Sequence, residues 1–289
     1  MPVEENLMAG VAPAGPTSAG TATFIETGLQ LSTGAVPVWS GGTGRPVLYL
    51  HSAAGLHLGR ALTAMAESFR IVAPVFPGFD GTPLHEGVAS MMALADLAAE
   101  VIASEGDEPW DVIGHSFGGW VAAWLAVRHP GRVDQLVLEA PGGFRPEGIG
   151  GLGQDPAALT LGMYAHPERA EMDAKDRATR AANRQVIDHY HGPEATDDAL
   201  VARLSAVRCL TLIVAGNRDG ITPPQSGQLL KRTIPRSYLT YVYDAAHMIE
   251  VDQPERFVRV VRDFLTRGEA FIIHWKDGAE STRSEPQPQ

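Results

Sequence analysis

Short runs of aliphatic and β-branched residues alternate along this chain with longer stretches whose apolar positions recur every three or four residues. The runs "TFIETGLQL" (23–31), "AVPVWS" (35–40), "PVLYLH" (46–51), "RIVAPV" (70–75), "WDVIG" (110–114), "VDQLVLEA" (133–140), "LTLIVAG" (210–216) and "YLTYVYD" (238–244) predict eight strands. The first two alternate apolar with polar residues and suit an antiparallel pair. The later ones are nearly continuous Val, Ile and Leu, as strands covered on both faces should be. Helical periodicity falls between them, at about 57–68, 90–104, 116–129, 224–233 and 254–267. Such alternation predicts an α/β fold, a mostly parallel eight-stranded sheet with helices on both faces. Ligands should then sit beyond the carboxyl ends of its strands.

One interval breaks the rhythm. From Gly142 to about Ala206 no strand pattern occurs, while helices can be read, one over 167–190 with Asp173/Arg177 and Asp176/Arg180 at i, i+4 spacing. This predicts a helical insertion, 142–206, after the sixth strand, with the core formed by 22–141 and 207–268. Residues 1–21, rich in Ala, Gly, Pro and Ser, read as a disordered tail, and 269–289 as an extension disordered in part. Within the extension, the apolar half of "FIIHWKDG" (271–278) predicts docking, on the core or on another subunit of a homo-oligomer.

Charge and composition narrow the functions. The formal net charge of −11 would repel phosphate backbones and anionic lipid, which argues against nucleic-acid or membrane binding. Early glutamates and the lack of an apolar core in "MPVEENLMAGVAPAG" argue against a signal peptide, so a cytoplasmic protein is expected. The single cysteine, Cys209, excludes an intrachain disulfide and reads as a buried small residue. No phosphate-cradling loop and no zinc-ligand spacing is visible, so neither a cofactor nor a metal is expected.

The candidate chemistry starts at "WDVIGHSFGGW" (110–120), where Ser116 stands between Gly114 and Gly118. The G-x-S-x-G spacing alone is weak, but a buried strand precedes it and a helix ending at Pro130–Gly131 follows. A serine on so sharp a turn is strained, and glycines two residues away remove side chains that would strike neighbouring backbone. A serine hydroxyl needs a base to become a nucleophile. His247, in "YVYDAAHMIEVDQPERF", lies on the loop after the last strand, at the same edge of the sheet. An acid must orient that imidazole. Asp219, in "LIVAGNRDGITPP", follows the seventh strand there, and Glu139 at the end of the sixth is the rival.

The order Ser116, Asp219, His247, together with "FRIVAPVFPGFDGTP" (69–83) and "HPGRVDQLVLEAPGGF" (129–144), resembles the α/β-hydrolase fold family, in its cap-carrying form, over about 22–267. That resemblance implies acyl transfer by a Ser-His-Asp triad acting on a carboxylic ester or lactone. The oxyanion donors would be the backbone N–H groups of Phe117 and Ala53. Ala53 is placed by the likeness of "LYLHSAAGLHLG" to the family's His-Gly-x-x-Gly loop, with Ser52 standing where the glycine usually is and His51 in a structural hydrogen-bonding role. The insertion would be a lid, and Ser52, His115, Phe144, Met163, Tyr164 and Met248 are the candidate pocket residues for a small, largely apolar substrate. Leu152, Leu159 and Leu161 join them as candidates, and Arg180 and Arg184 as partners for a substrate carboxylate. "LEAPGGF" with "LTLGMYAHPERA" faintly resembles the hydrolases that cleave carbon–carbon bonds in meta-ring-fission products. His115 before the serine and Met248 after the histidine depart from that pattern. A non-catalytic ligand-binding protein, or a cofactor-free oxygenase or perhydrolase, is the further alternative.

Overall fold

The computed structural model describes residues 22–146, 156–172, 177–191 and 196–271. The eight expected strands are present: β1 (Ile25–Leu31), β2 (Gly34–Gly41), β3 (Pro46–Leu50), β4 (Arg70–Pro74), β5 (Trp110–His115), β6 (Val133–Glu139), β7 (Leu210–Gly216) and β8 (Ser237–Val242). They form one sheet in the order β1-β2-β4-β3-β5-β6-β7-β8. β1 and β2 pair antiparallel, β2 pairs antiparallel with β4, and the pairings from β4 through β8 are parallel. Every residue of β5 and β7 is buried, whereas β1 is an edge strand with only Leu31 buried. Continuous apolar runs and alternating ones therefore went where their patterns direct them.

The helices that cover the sheet are α1 (Arg60–Met65), α2 (Met91–Ala103), α3 (Phe117–Arg128), α7 (Pro224–Thr233) and α9 (Pro254–Arg267). α2 packs on α3, and α1 on α9. The chain runs from β3 outward to β4, then returns past β3 to β5. Successive right-handed crossovers that reverse direction put these two helix pairs on opposite faces. The reversal also splays the loops after β3 and β5 apart at the sheet's carboxyl edge, where an open α/β sheet has its crevice.

Between β6 and β7 lie α4 (Pro156–Met163), α5 (Arg177–Tyr190) and the short α6 (Asp198–Val201). Among the described residues this stretch has no strand, only the isolated bridge between Phe144 and Thr196. Three expectations need adjustment. The helix read over 167–190 is a 3-10 segment, Pro167–Met172, followed separately by α5. Both predicted acid–arginine pairs on it include a residue outside the described ones. α1 is half the predicted length: before it, Leu56 donates its N–H to Asp80 Oδ2 (2.9 Å) in a loop, and after it Glu67 and Ser68 donate to Ala64 O and Met65 O in a tighter turn. β8 ends at Val242, two residues early, before a turn at Asp244 with φ 59°. The tail 1–21 lies outside the described residues, as does all of the "FIIHWKDG" segment after Phe271. No helix among the described residues is long and apolar enough to cross a membrane.

Candidate active site

β5 ends in His115 and α3 begins at Phe117, so Ser116 alone makes the turn, with φ 52° and ψ −110°. An L-residue in the left-handed half of the map is strained. Three backbone bonds hold it there: Ser116 N–H donates to Glu139 O (2.9 Å), and Ser116 O accepts from Trp120 (3.1 Å) and Gly142 (2.9 Å). The two flanking glycines are required by proximity. A Cβ on Gly114 would lie 2.4 Å from Gly118 O, and one on Gly118 only 2.0 Å from Leu50 O. α3 thus presses its first turn against the end of β3 and the loop after it.

His247 Nε2 lies 2.8 Å from Ser116 Oγ, and its Nδ1 lies 3.0 Å from Asp219 Oδ2. In the matching tautomer Nδ1–H donates to the carboxylate, and Nε2 accepts the serine proton. Asp219 is itself fixed: Oδ1 accepts the N–H groups of Ile221 and Thr222 (2.8 Å each), and Oδ2 accepts Thr222 Oγ–H (2.6 Å). This is an Asx turn, the chemistry that Asn-Arg-Asp-Gly favours. Burial opposes ionisation of Asp219, but the His247 imidazole and the bonds from Thr222 outweigh it and hold the carboxyl below its usual range. All three residues are buried, His247 at 2%, Asp219 at 7% and Ser116 at 9% exposure.

The rival acid is elsewhere. Glu139 is fully buried beneath the site, where its Oε1 accepts the Glu250 N–H at 3.3 Å. It does not bond His247. His51 links two loops: its Nε2 accepts the Phe76 N–H (3.0 Å), so Nδ1–H must donate to Ser52 O (2.8 Å). The loop carrying Ala53 turns over the bridge between Ser52 and Gly55, with Gly55 at φ 89°. Phe117 is the first residue of α3, and the first N–H groups of a helix have no acceptor within it. Phe144 and Met248 are buried, Met163 and Tyr164 are half-buried, and His115 is turned into the core with 1% exposure. Leu159 is half-buried, Leu161 is 60% exposed and so faces outward, and Leu152 lies outside the described residues. Arg184 is exposed on α5; Arg180 is half-buried. Cys209 is half-buried rather than buried, and burial pushes its thiol up to about 11.

Several residues that position the site escaped the sequence reading. Asn183, on α5 and fully buried, donates from Nδ2 to Ala54 O and Asp80 Oδ1 and accepts the Asp80 N–H, each at 2.8 Å. Asp252 accepts the N–H groups of Ala165 (2.8 Å), His166 (2.9 Å) and Ala246 (2.8 Å). Met163 O accepts the Met248 N–H (2.9 Å) and Gly162 O that of Gly220 (3.2 Å), so the end of α4 is bonded to both the histidine and the aspartate loops. Trp120 and Trp124 both donate from Nε1 to Asp197 Oδ2 (2.8 Å), which ties the chain before α6 to α3. Of these only Asp197, three residues before the Leu200 N–H that it caps, carried a local signal. A groove of about 1210 Å³ runs past Trp39, Leu56, His57, Arg60, Thr179 and Val258. None of Ser116, Asp219 and His247 lines it, so it flanks the outer side of the Ala53 loop rather than the serine.

An eight-stranded sheet of this order, with a strained serine after β5 and a histidine and an aspartate bonded in line with it, defines an α/β hydrolase, and the family comparison agrees. Residues 38–260 match the model of the alpha/beta hydrolase family, and the chain belongs to it. Among similar proteins is a 2-hydroxymuconate semialdehyde hydrolase of Pseudomonas putida, 27% identical over 79% of this chain and 90% of the relative. A pimeloyl-[acyl-carrier protein] methyl ester esterase of Neisseria meningitidis serogroup B is 31% identical over 59% of this chain and 74% of the relative. The solved meta-cleavage product hydrolase of Pseudomonas fluorescens has the same fold, with a TM-score of 0.68 at 21% identity, covering 83% of this chain and 97% of that one.

Proposed function

We propose that this protein is a serine hydrolase that cleaves a carboxylic ester or lactone through an acyl-enzyme. The observation that carries this reading is the 2.8 Å contact of Ser116 Oγ with His247 Nε2, on a strained turn with φ 52°. His247 takes the Ser116 proton as the oxygen attacks the carbonyl carbon. Asp219 keeps the imidazole in the tautomer that can accept and stabilises the imidazolium that results. The N–H groups of Phe117 and Ala53 receive the oxyanion. The imidazolium then protonates the departing alcohol, and water repeats the cycle on the acyl-enzyme. Chemistry of this kind requires no metal or cofactor. The stretch 142–206 serves as the lid. Its support is the pair of bonds from Gly162 and Met163 to the loops of Asp219 and His247, which tie its position to the triad.

A second reading, carbon–carbon bond hydrolysis of an acidic diketo compound, draws on the relative named for 2-hydroxymuconate semialdehyde. Arg145, which donates from Nη2 to Ile221 O, places a positive charge beside the Asp219 turn, as an anionic substrate would need.

Short-chain aryl esters and a 2-hydroxy-6-oxo-dienoate, offered to wild type and Ser116→Ala, test both. Ester turnover that falls by about 10³-fold or more in the variant is expected. Equal ester activity in the two proteins removes Ser116 as nucleophile. Serine-dependent turnover of the dienoate with inert esters replaces the first reading by the second.

A further inference from the structure

Under the triad, on the core side of His247, three ionisable side chains meet out of water. His115 ends β5, Glu139 ends β6, and Glu250 lies in the short helix α8 (Ile249–Asp252) just after His247. Their exposures are 1%, 0% and 4%. His115 Nδ1 faces Glu250 Oε1 at 3.2 Å, and Nε2 faces the backbone oxygen of His247 at 3.2 Å. A neutral imidazole has one N–H and one lone pair, so it cannot donate to both oxygens. An imidazolium can. Glu139 Oε1 takes the Glu250 N–H and Glu250 Oε1 faces His115, which leaves Glu139 Oε2 and Glu250 Oε2 without a hydrogen-bond donor among the described residues. A proton on Glu139 shared with Glu250 supplies one, and the three groups then sum to zero charge. A buried cluster tolerates little else.

The surroundings agree with that distribution. Burial, then the charge of Glu250 and the bond to it, push the Glu139 carboxyl well up. Burial opposes ionisation of Glu250, but His115 outweighs it and holds that carboxyl down, with smaller help from the Glu139 bond and from His57. Burial opposes the charge on His115 too; Glu250 foremost, then the His247 carbonyl and Asp219, reverse the balance. Burial and then the charge of Glu250 raise the Tyr49 phenol, so it stays neutral beside the cluster.

We propose that Glu139, Glu250 and His115 form a buried proton-sharing chain in which His115, held as an imidazolium, is a positioning residue for His247. This rests on His247 being the general base. His115 would act in two ways. Its Nε2–H fixes the carbonyl of His247 and so the aim of the ring toward Ser116. Its positive charge, on a ring whose centroid is 5.4 Å from that of His247, disfavours a second positive charge there and keeps His247 able to accept a proton. The donor atoms of the same three residues lie within 4.8 Å of one another, so a bound divalent cation is the competing occupant.

Nitrogen-15 side-chain NMR of the purified protein at about pH 8, where an ordinary histidine is neutral, reads the chain without reference to activity. One histidine with both ring nitrogens protonated is expected in wild type, becoming neutral in Glu250→Gln. A wild-type spectrum with only neutral histidines overturns the proposal. So does elemental analysis that finds one transition metal per chain. The catalytic arm is the pH profile of kcat/KM on an aryl ester. In Glu250→Gln the acid limb should move up by about 0.5–1 pH unit, with kcat lower by about tenfold and KM little changed. A limb and kcat identical to wild type overturn the positioning role. Undiminished activity in Ser116→Ala would instead defeat the triad reading, and the NMR result would stand apart from it.

Discussion

Asn183 offers the sharpest test of how the helices between β6 and β7 serve the site. Its amide makes three bonds of 2.8 Å, two to Asp80 and one to Ala54 O. Asp80 in turn sits at φ 52° and receives the Leu56 N–H, so one side chain of α5 holds the loop just after Ala53, at Ala54 directly and at Leu56 through Asp80. Asn183→Ala removes all three bonds. At about 1 kcal/mol net for each, the clamp is worth about 3 kcal/mol, more if the abandoned groups stay dry. The catalytic cost has a ceiling, since losing one oxyanion donor outright costs about 10²–10³ in kcat. A displaced but tethered loop should fall short of that, at about 10–100-fold in kcat with KM changed much less. Steady-state kinetics on an aryl ester, beside a thermal melt, measure both quantities. A variant that melts several degrees lower yet keeps kcat within about twofold would refute the reasoning, because Asn183 would then support the fold and not the loop.

Asp219→Asn should lower kcat by about 10⁴-fold while leaving the melt almost unchanged, because an amide can turn its NH₂ to Nδ1 and leave the ring in the wrong tautomer. Wild-type turnover in that variant would remove Asp219 from the triad. Far from the site, Asp111 is buried on β5 at 2.8 Å from Arg45; burial, with the nearby Asp134 adding, pushes its carboxyl up to about 7 against Arg45 and Gln135. A group raised on folding holds in the native state a proton that the unfolded chain releases. Its stabilising contribution is therefore full below about pH 4 and is lost as pH rises toward 7. The melting temperature of wild type should fall over that range relative to Asp111→Asn, and a constant difference between the two proteins would contradict the shift.

Much of the fold was legible because strand and helix carry their signals locally. The runs at 110–114 and 210–216 are apolar but for Asp111 and Thr211, and they became the two fully buried strands. The glycines at 114 and 118 marked a turn on which no Cβ fits. The order of serine, aspartate and histidine, each placed after a strand, foretold that a parallel sheet would gather them at one edge.

What the sequence could not show were relations between side chains far apart in the chain. Nothing local to Glu139 says that it lies under the histidine loop and not beside His247; its strand register decides that, because the side chain at the end of β6 points into the core. Asn183 is one polar residue on an amphipathic helix until α5 packs against Asp80. His115 read as a candidate for the pocket, and only the packing of α8 under β5 turns it inward, between Glu250 and the backbone of His247. The sequence by itself determined which elements form and which edge bears the chemistry, since periodicity and turn chemistry are written in neighbouring residues. The tertiary structure alone decided which acid meets His247 and which buried groups must share protons, since those depend on distances and desolvation that arise only once the sheet has closed around them.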